Sequence, residues 1–142
     1  MTSVDQTRTR SEENEAINTR GIELANLSIL SDNLDGDSEA IRSIADDFKV
    51  DLEQDHCELE KAIESSDWNN GLRIAHQLKG TAAAVGCGPL ASAAERIEVR
   101  IRTNSLTGIS QDMQNLTVIL PVSMTALDLA LKKLEPVVLN VG

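Results

Sequence analysis

The side chains in this sequence that can do chemistry together lie in Ala75-His76-Gln77-Leu78-Lys79-Gly80, where a histidine is followed by a lysine three residues on and a glycine four on. Read as a helix from Trp68 to Val85 and turned by about 100° per residue, this run gathers Ile74, Ala75, Leu78, Ala82 and Val85 into one apolar stripe. His76 points away from that stripe, with Lys79 about 60° to one side of it and Gly80 about 40° to the other. Histidine titrates near neutral pH, so an exposed imidazole is a nucleophile in its neutral form without an adjacent base. A neighbouring ammonium can hold charge on the oxygens of a phosphoryl group.

Gly80 needs a reason, because glycine inside a helix costs roughly 0.5–1 kcal/mol relative to alanine. Close packing on a neighbouring helix does not supply one, since Gly80 points nearly opposite the stripe. Clearance does: a phosphoryl group or a docked protein seated on the imidazole would clash with a side chain one turn further on. Leu72, about 40° from His76 on the wheel, is either an apolar residue for partner docking or a half-buried flank, and Gln77 and Ala83 are the further docking candidates.

Helices must position these residues, because no alternating apolar run suggests a strand. Residues 1–20 are polar and mixed in charge, and read as a disordered tail. A short helix is expected through Ile22, Leu24, Ala25, Leu27, Ile29 and Leu30, closed by the turn residues of Ser31-Asp32-Asn33-Leu34-Asp35-Gly36 and lying as a lid on the bundle. Asp37 or Ser38 then caps a long helix whose apolar stripe runs through Ile41, Ile44, Ala45, Phe48, Leu52, Leu59, Ala62 and Ile63, with His56 occupying one of its positions.

Asp67 caps the central helix and Trp68 pins the turn. Gly86 or Gly88 ends that helix in a left-handed conformation, and Pro89 opens the next. The next helix is apolar at Leu90, Ala93, Ala94, Ile97 and Ile101, while Arg96, Arg100 and Arg102 lie outside the stripe with Glu95 or Glu98 as surface partners. Residues 103–108 read as a loop.

The last helix repeats Ile109, Met113, Leu116, Leu120, Met124, Leu127, Leu131 and Leu134, a stripe that suits a bundle core better than a separate coiled-coil dimer. Pro121 should kink this helix or split it, and Pro136 stops it. The expected fold is therefore all-α: an antiparallel four-helix bundle with a short extra N-terminal helix, spanning residues 21–137 and followed by a tail at 138–142.

Composition narrows the function. With one Phe, one Trp and no Tyr, the core must be aliphatic, which suits packed helices. The net charge of −10 is concentrated in residues 31–67, where thirteen acids, Asp55 among them, face three bases and most of the carboxylates read as a solvated helix face; such a chain is a poor partner for nucleic acid. No apolar stretch of membrane-spanning length and no signal-peptide core is read, so a cytoplasmic protein is expected. Cys57 and Cys87 have neither a CxxC partner nor a His at ligand spacing, so a metal or redox site of His56, Cys57, His76 and Cys87 is disfavoured, the more so because His76 points outward on a different helix from His56 and Cys57.

The run from Ala75 to Gly86, AHQLKGTAAAVG, resembles the signature of histidine-containing phosphotransfer (HPt) domains, AHxLKG followed by small residues and a glycine. The likeness extends to Phe48 through Asp67-Trp68 on one side and to Leu90, Ala93, Ile97 and Glu98 on the other, about residues 27–103, while Cys87-Gly88-Pro89 departs from the alanine and acidic residues common there. The resemblance implies a phosphorelay intermediate. It would accept a phosphoryl group on His76 and exchange it with the aspartate of a response-regulator receiver domain, in two-component signalling with a hybrid sensor histidine kinase. Lys79 would give electrostatic support and Gly80 clearance. No cofactor of its own is expected, and Mg²⁺ would come with the receiver, because no carboxylate cluster is read beside His76. The protein would be a monomeric phosphocarrier without autokinase activity; a bundle that only docks a receiver or kinase is the alternative. Met1 and the tail after it favour a free-standing protein over a piece of a kinase.

Overall fold

The computed structural model describes residues 24–134, and the regular elements among them are helices: α1 (Ser28–Asn33), α2 (Ser38–Glu64), α3 (Trp68–Ala84), α4 (Gly88–Arg102) and α5 (Ile109–Lys132), with a single 3-10 turn at Leu106–Gly108 inside the expected loop. The tails assigned to 1–20 and 138–142 lie outside the described residues. Caps act where the sequence places them. Asp37 accepts a hydrogen bond from the Ala40 amide at 3.1 Å and Asp67 from the Asn70 amide at 3.3 Å, each satisfying a donor that the first helical turn leaves open.

α3 packs against α2 and α4, α4 against α5, and α5 returns to α2. The stripes meet in one aliphatic core, with Ile41, Leu52 and Leu59 of α2, Ile74 and Leu78 of α3, Leu90 and Ile97 of α4, and Leu116 and Leu127 of α5 fully buried. Each such side chain contributes on the order of 1.5–3 kcal/mol by leaving water. The α2–α5 seam is reinforced by polar links instead. His56 Nε2 lies 2.9 Å from Thr117 Oγ1, Lys49 Nζ 2.5 Å from Asp128, and Arg42 donates to the Leu131 carbonyl at 3.2 Å. His56 is thus a half-buried tether between helices.

Four expectations need correction. The first helix starts later and ends later than its apolar pattern suggests, because the Asn26 side chain takes the Ser28 amide at 2.8 Å and holds residues before Ser28 out of the helix. Leu24, Ala25 and Leu27 are nevertheless buried, so this segment still covers the core. Pro121 does not split α5, which continues from Ile109 to Lys132; its ring lies on the exposed side, where the one missing backbone bond is open to water. Asp55 is not a solvated acid of α2 but 4% exposed and turned to α3. Finally, Leu106–Lys132 is long and apolar enough to cross a membrane by length and composition, with mean hydropathy 1.3. Much of that apolar content is the stripe already spent on the core.

Gly86 takes the left-handed conformation (φ +72°) that turns α3 into α4, as one of the two glycines expected there. A β-carbon at Gly86 would fall 1.6 Å from the Asn26 carbonyl oxygen, so the turn and the N-terminal cover fit only through a glycine. Gly86→Ala should therefore cost more than the roughly 1–2 kcal/mol of left-handed strain alone. Gly88→Ala, with nothing within 4 Å of the added carbon, should stay within about 0.5 kcal/mol of the parent. Urea melts of the two variants check this, and equal midpoints would contradict it.

Candidate functional site

His76 sits in the third turn of α3 with its side chain 69% exposed. Its apolar neighbours Ala75 and Leu78 are buried in the core, which fixes the face that His76 shows to solvent. Across the groove, α4 contributes Glu98, whose side chain is only 6% exposed. Glu98 Oε2 lies 2.7 Å from His76 Nδ1 and 3.4 Å from Arg102 Nη1, and Oε1 lies 2.9 Å from Lys79 Nζ. One buried carboxylate therefore ties the histidine and the lysine of α3 to an arginine of α4.

The protonation pattern is set by this arrangement. Burial alone would push the Glu98 carboxyl up, but the bonds and charges from Lys79 and His76 outweigh it and hold the group below the usual carboxylate range. An ionised carboxylate only accepts hydrogen bonds, so Nδ1 of His76 must carry the hydrogen. In the neutral ring that leaves Nε2 with its lone pair, directed away from Glu98 toward solvent. The site holds a nucleophilic nitrogen in a set orientation, with two cations beside it.

Gly80 borders the ring, and a β-carbon built on it meets nothing within 4 Å. Nothing among the described residues requires glycine there, and the space beside the ring is open. Gln77 turns to α2, where its amide nitrogen donates to both oxygens of Asp55 at 3.0 and 3.3 Å. Desolvation pushes the Asp55 carboxyl up, against the Gln77 hydrogen bond and with the help of the nearby acids Asp51 and Glu58. Leu72 is half-buried and Ala83 exposed, both beside the His76 face.

Sequence reasoning also places Glu98 wrongly, as a surface partner of the arginines. It does meet Arg102, but Arg100 pairs instead with Asp112 of α5. A signal is present: Glu98 is about 40° from Ala94 on the helical wheel, at the edge of the buried stripe. The rival cluster of His56, Cys57, His76 and Cys87 does not form. Cys57 is exposed, Cys87 is buried with its thiol pushed up to about 11 by desolvation, and among the described residues no three His, Cys, Asp or Glu side chains are grouped to hold a metal.

No curated protein and no solved structure matches the chain. The Hpt domain family model does match, over residues 43–135, a span that contains α3, α4, α5 and most of α2. Members of that family are phosphocarriers rather than enzymes, acting in phosphorelay signalling with receiver domains and histidine kinases. With an exposed histidine on a helical scaffold and a match across most of its length, the chain belongs to the Hpt domain family.

Proposed function

We propose that His76 is the phospho-acceptor of a cytoplasmic phosphorelay intermediate. The observation that carries this reading is the Nδ1 contact to buried Glu98, which leaves Nε2 free and outward. In the accepting direction the Nε2 lone pair attacks the phosphorus of a receiver's aspartyl phosphate. The N–P bond forms as the P–O bond to the aspartate breaks, and the aspartate leaves as a carboxylate. The phosphorylated ring gains positive charge, which Glu98 stabilises through Nδ1–H; the return transfer runs the same exchange backwards. Lys79 supports the phosphoryl oxygens, Gly80 leaves room for the incoming aspartate, and Leu72, Gln77 and Ala83 form the surrounding docking surface.

The working unit is a single antiparallel four-helix bundle with its short N-terminal helix, over residues 21–137. The residues at the site do not suit a divalent cation, because the one carboxylate there is already engaged by His76, Lys79 and Arg102. Mg²⁺ belongs to the receiver, where it neutralises phosphoryl oxygens. No phosphate-cradling glycine loop is present in the sequence, so the phosphoryl group comes from a partner, not from autokinase activity.

The direct test is phosphorylation from a phosphorylated receiver. Acid-labile phosphate should appear on the parent and be absent from His76→Gln, whose helix content and receiver binding stay intact; phosphate persisting on the variant refutes the assignment. Glu98→Ala should slow transfer about 10–100-fold, the size of a lost hydrogen bond to a charged group. It should also relax the imidazole from its Nδ1–H tautomer, as read by ring ¹⁵N shifts; an unchanged tautomer would reduce Glu98 to a structural role. Gly80→Gln should lower the transfer rate with little change in melting temperature, and an unaltered rate would remove the clearance argument.

A further inference from the structure

A second buried carboxylate lies on the other side of α3, and it is met in a different way from Glu98. Asp55 of α2 is 4% exposed, yet among the described residues it has no ion-pair partner. Its hydrogen bonds come from one group, the Gln77 amide nitrogen at 3.0 and 3.3 Å. Desolvation pushes the Asp55 carboxyl up and Asp51 and Glu58 on its own helix add to the push, while the Gln77 bond and the Arg73 charge of α3 act against them. A carboxyl that titrates higher in the fold than in the unfolded chain holds its proton more tightly there, so at neutral pH its ionisation opposes folding. Asparagine has the same shape and avoids that cost, so the acid needs another reason.

We propose that Asp55 is a positioning residue for docking: it takes the Gln77 amide nitrogen into the α2–α3 seam and turns the carboxamide oxygen outward, as an acceptor for a hydrogen-bond donor on the receiver. A carboxylate has no hydrogen to give. Oε1 turned toward Asp55 would face two oxygens with nothing between them, so only the amide nitrogen can be the inward end. The carboxamide is planar, with oxygen and nitrogen on one carbon, and fixing one end fixes the other. Gln77 is exposed, and its Oε1 has no partner among the described residues. Asparagine at position 55 would leave the choice open, because it accepts through its oxygen and donates through its nitrogen. The acid gives Gln77 one polarity.

The place of Gln77 says what that oxygen is for. On the wheel it stands about 100° from His76, with Gly80 between them at about 40°. The space over Gly80, where an added β-carbon meets nothing within 4 Å, is therefore bordered by the imidazole on one side and by Gln77 on the other. A partner entering that space to reach the ring passes the outward oxygen. This role deepens the phosphotransfer reading and rests on it, since the receiver is the occupant. It differs from the role of Glu98, which bears on the ring that reacts: Gln77 holds no phosphoryl oxygen, so its contribution falls on receiver binding and not on the transfer step. A contact that only fastened α2 to α3 would leave receiver binding unmoved.

Spectroscopy and transfer kinetics separate the two cases. In ¹⁵N–¹H spectra of the full chain without a partner, the Gln77 side-chain amide should lie downfield of a solvated glutamine amide. It should move back in Asp55→Asn, and also when acid protonates Asp55, at a pH above the ordinary aspartate value. Asp51 and Glu58 titrate close by on α2 and Arg73 of α3 keeps its charge, so Asp55→Asn identifies the group responsible. In transfer from a phosphorylated receiver domain, Gln77→Met should raise the KM for that receiver about 2–10-fold, the size of one neutral hydrogen bond, with the loss falling on KM rather than on the maximum rate. Asp55→Asn should raise KM by no more than Gln77→Met does, add nothing in the Gln77→Met background, and melt no lower than the parent. The proposal is overturned, with His76 still phosphorylated, by a solvated Gln77 amide in the parent, an unmoved KM in Gln77→Met, a loss confined to the maximum rate, or an Asp55→Asn effect that persists without Gln77. A parent that takes no phosphate overturns the phosphotransfer reading itself, and the docking role with it.

Discussion

A buried carboxylate must be met by positive charge or by hydrogen-bond donors, and in this molecule that requirement falls on Glu98. At 6% side-chain exposure it has little water to turn to, and it draws His76 and Lys79 from α3 and Arg102 from its own helix. The pair of helices cannot slide or rotate without breaking one of these contacts. Ring orientation, tautomer, the place of the lysine and the register of α3 against α4 are therefore one constraint seen from different residues. Much of the gain from such a buried pair is offset by desolvation. Its consequence for the site is orientation more than stability.

The scaffold delivers that constraint through a helical hairpin. His76 lies ten residues before Gly86 and Glu98 twelve after it. At 1.5 Å of rise per residue both sit about 15–18 Å from the turn, so a tight reversal brings them level. Gly86 makes the reversal tight with its left-handed backbone, and the Asn26 carbonyl packed against it excludes a larger residue. The core stripes set the faces: burying Leu78 and Ala75 turns His76 outward, and burying Ile97 and Ala94 brings Glu98 to the edge of the interface.

The features legible in the chain alone are those that depend on short spacings. The three-and-four repeat of aliphatics places the four long helices, and Asp37, Asp67 and the glycines after α3 locate their ends, because burial and capping act within a turn or two. The outward direction of His76 comes from the same geometry. Pairings between helices are another matter. A wheel gives the angle at which Glu98 or Asp55 leaves its helix but not which neighbour stands at that angle. Both acids accordingly read as surface groups, whereas one meets His76 and the other Gln77. The N-terminal helix misleads for a local reason: the Asn26 side chain competes for a backbone amide and moves the helix start.

The same geometry bears on why such a site would carry a phosphoryl group without hydrolysing it. The histidine is open to water, and Gly80 leaves the space beside it empty. Hydrolysis needs a water activated and aimed at phosphorus, and a base for that task must lie within hydrogen-bond reach of the water. The nearest carboxylate is held on the opposite side of the ring, at Nδ1, with both oxygens engaged. Lys79 and Arg102 are cations and cannot serve as that base at neutral pH. A phosphoryl group on Nε2 would thus face an accessible but uncatalysed attack by water, and transfer becomes fast only when a partner supplies its own carboxylate in line. The exposure that would let a receiver reach His76 is thus compatible with carriage, because the carboxylate described at the site is occupied with orienting the ring.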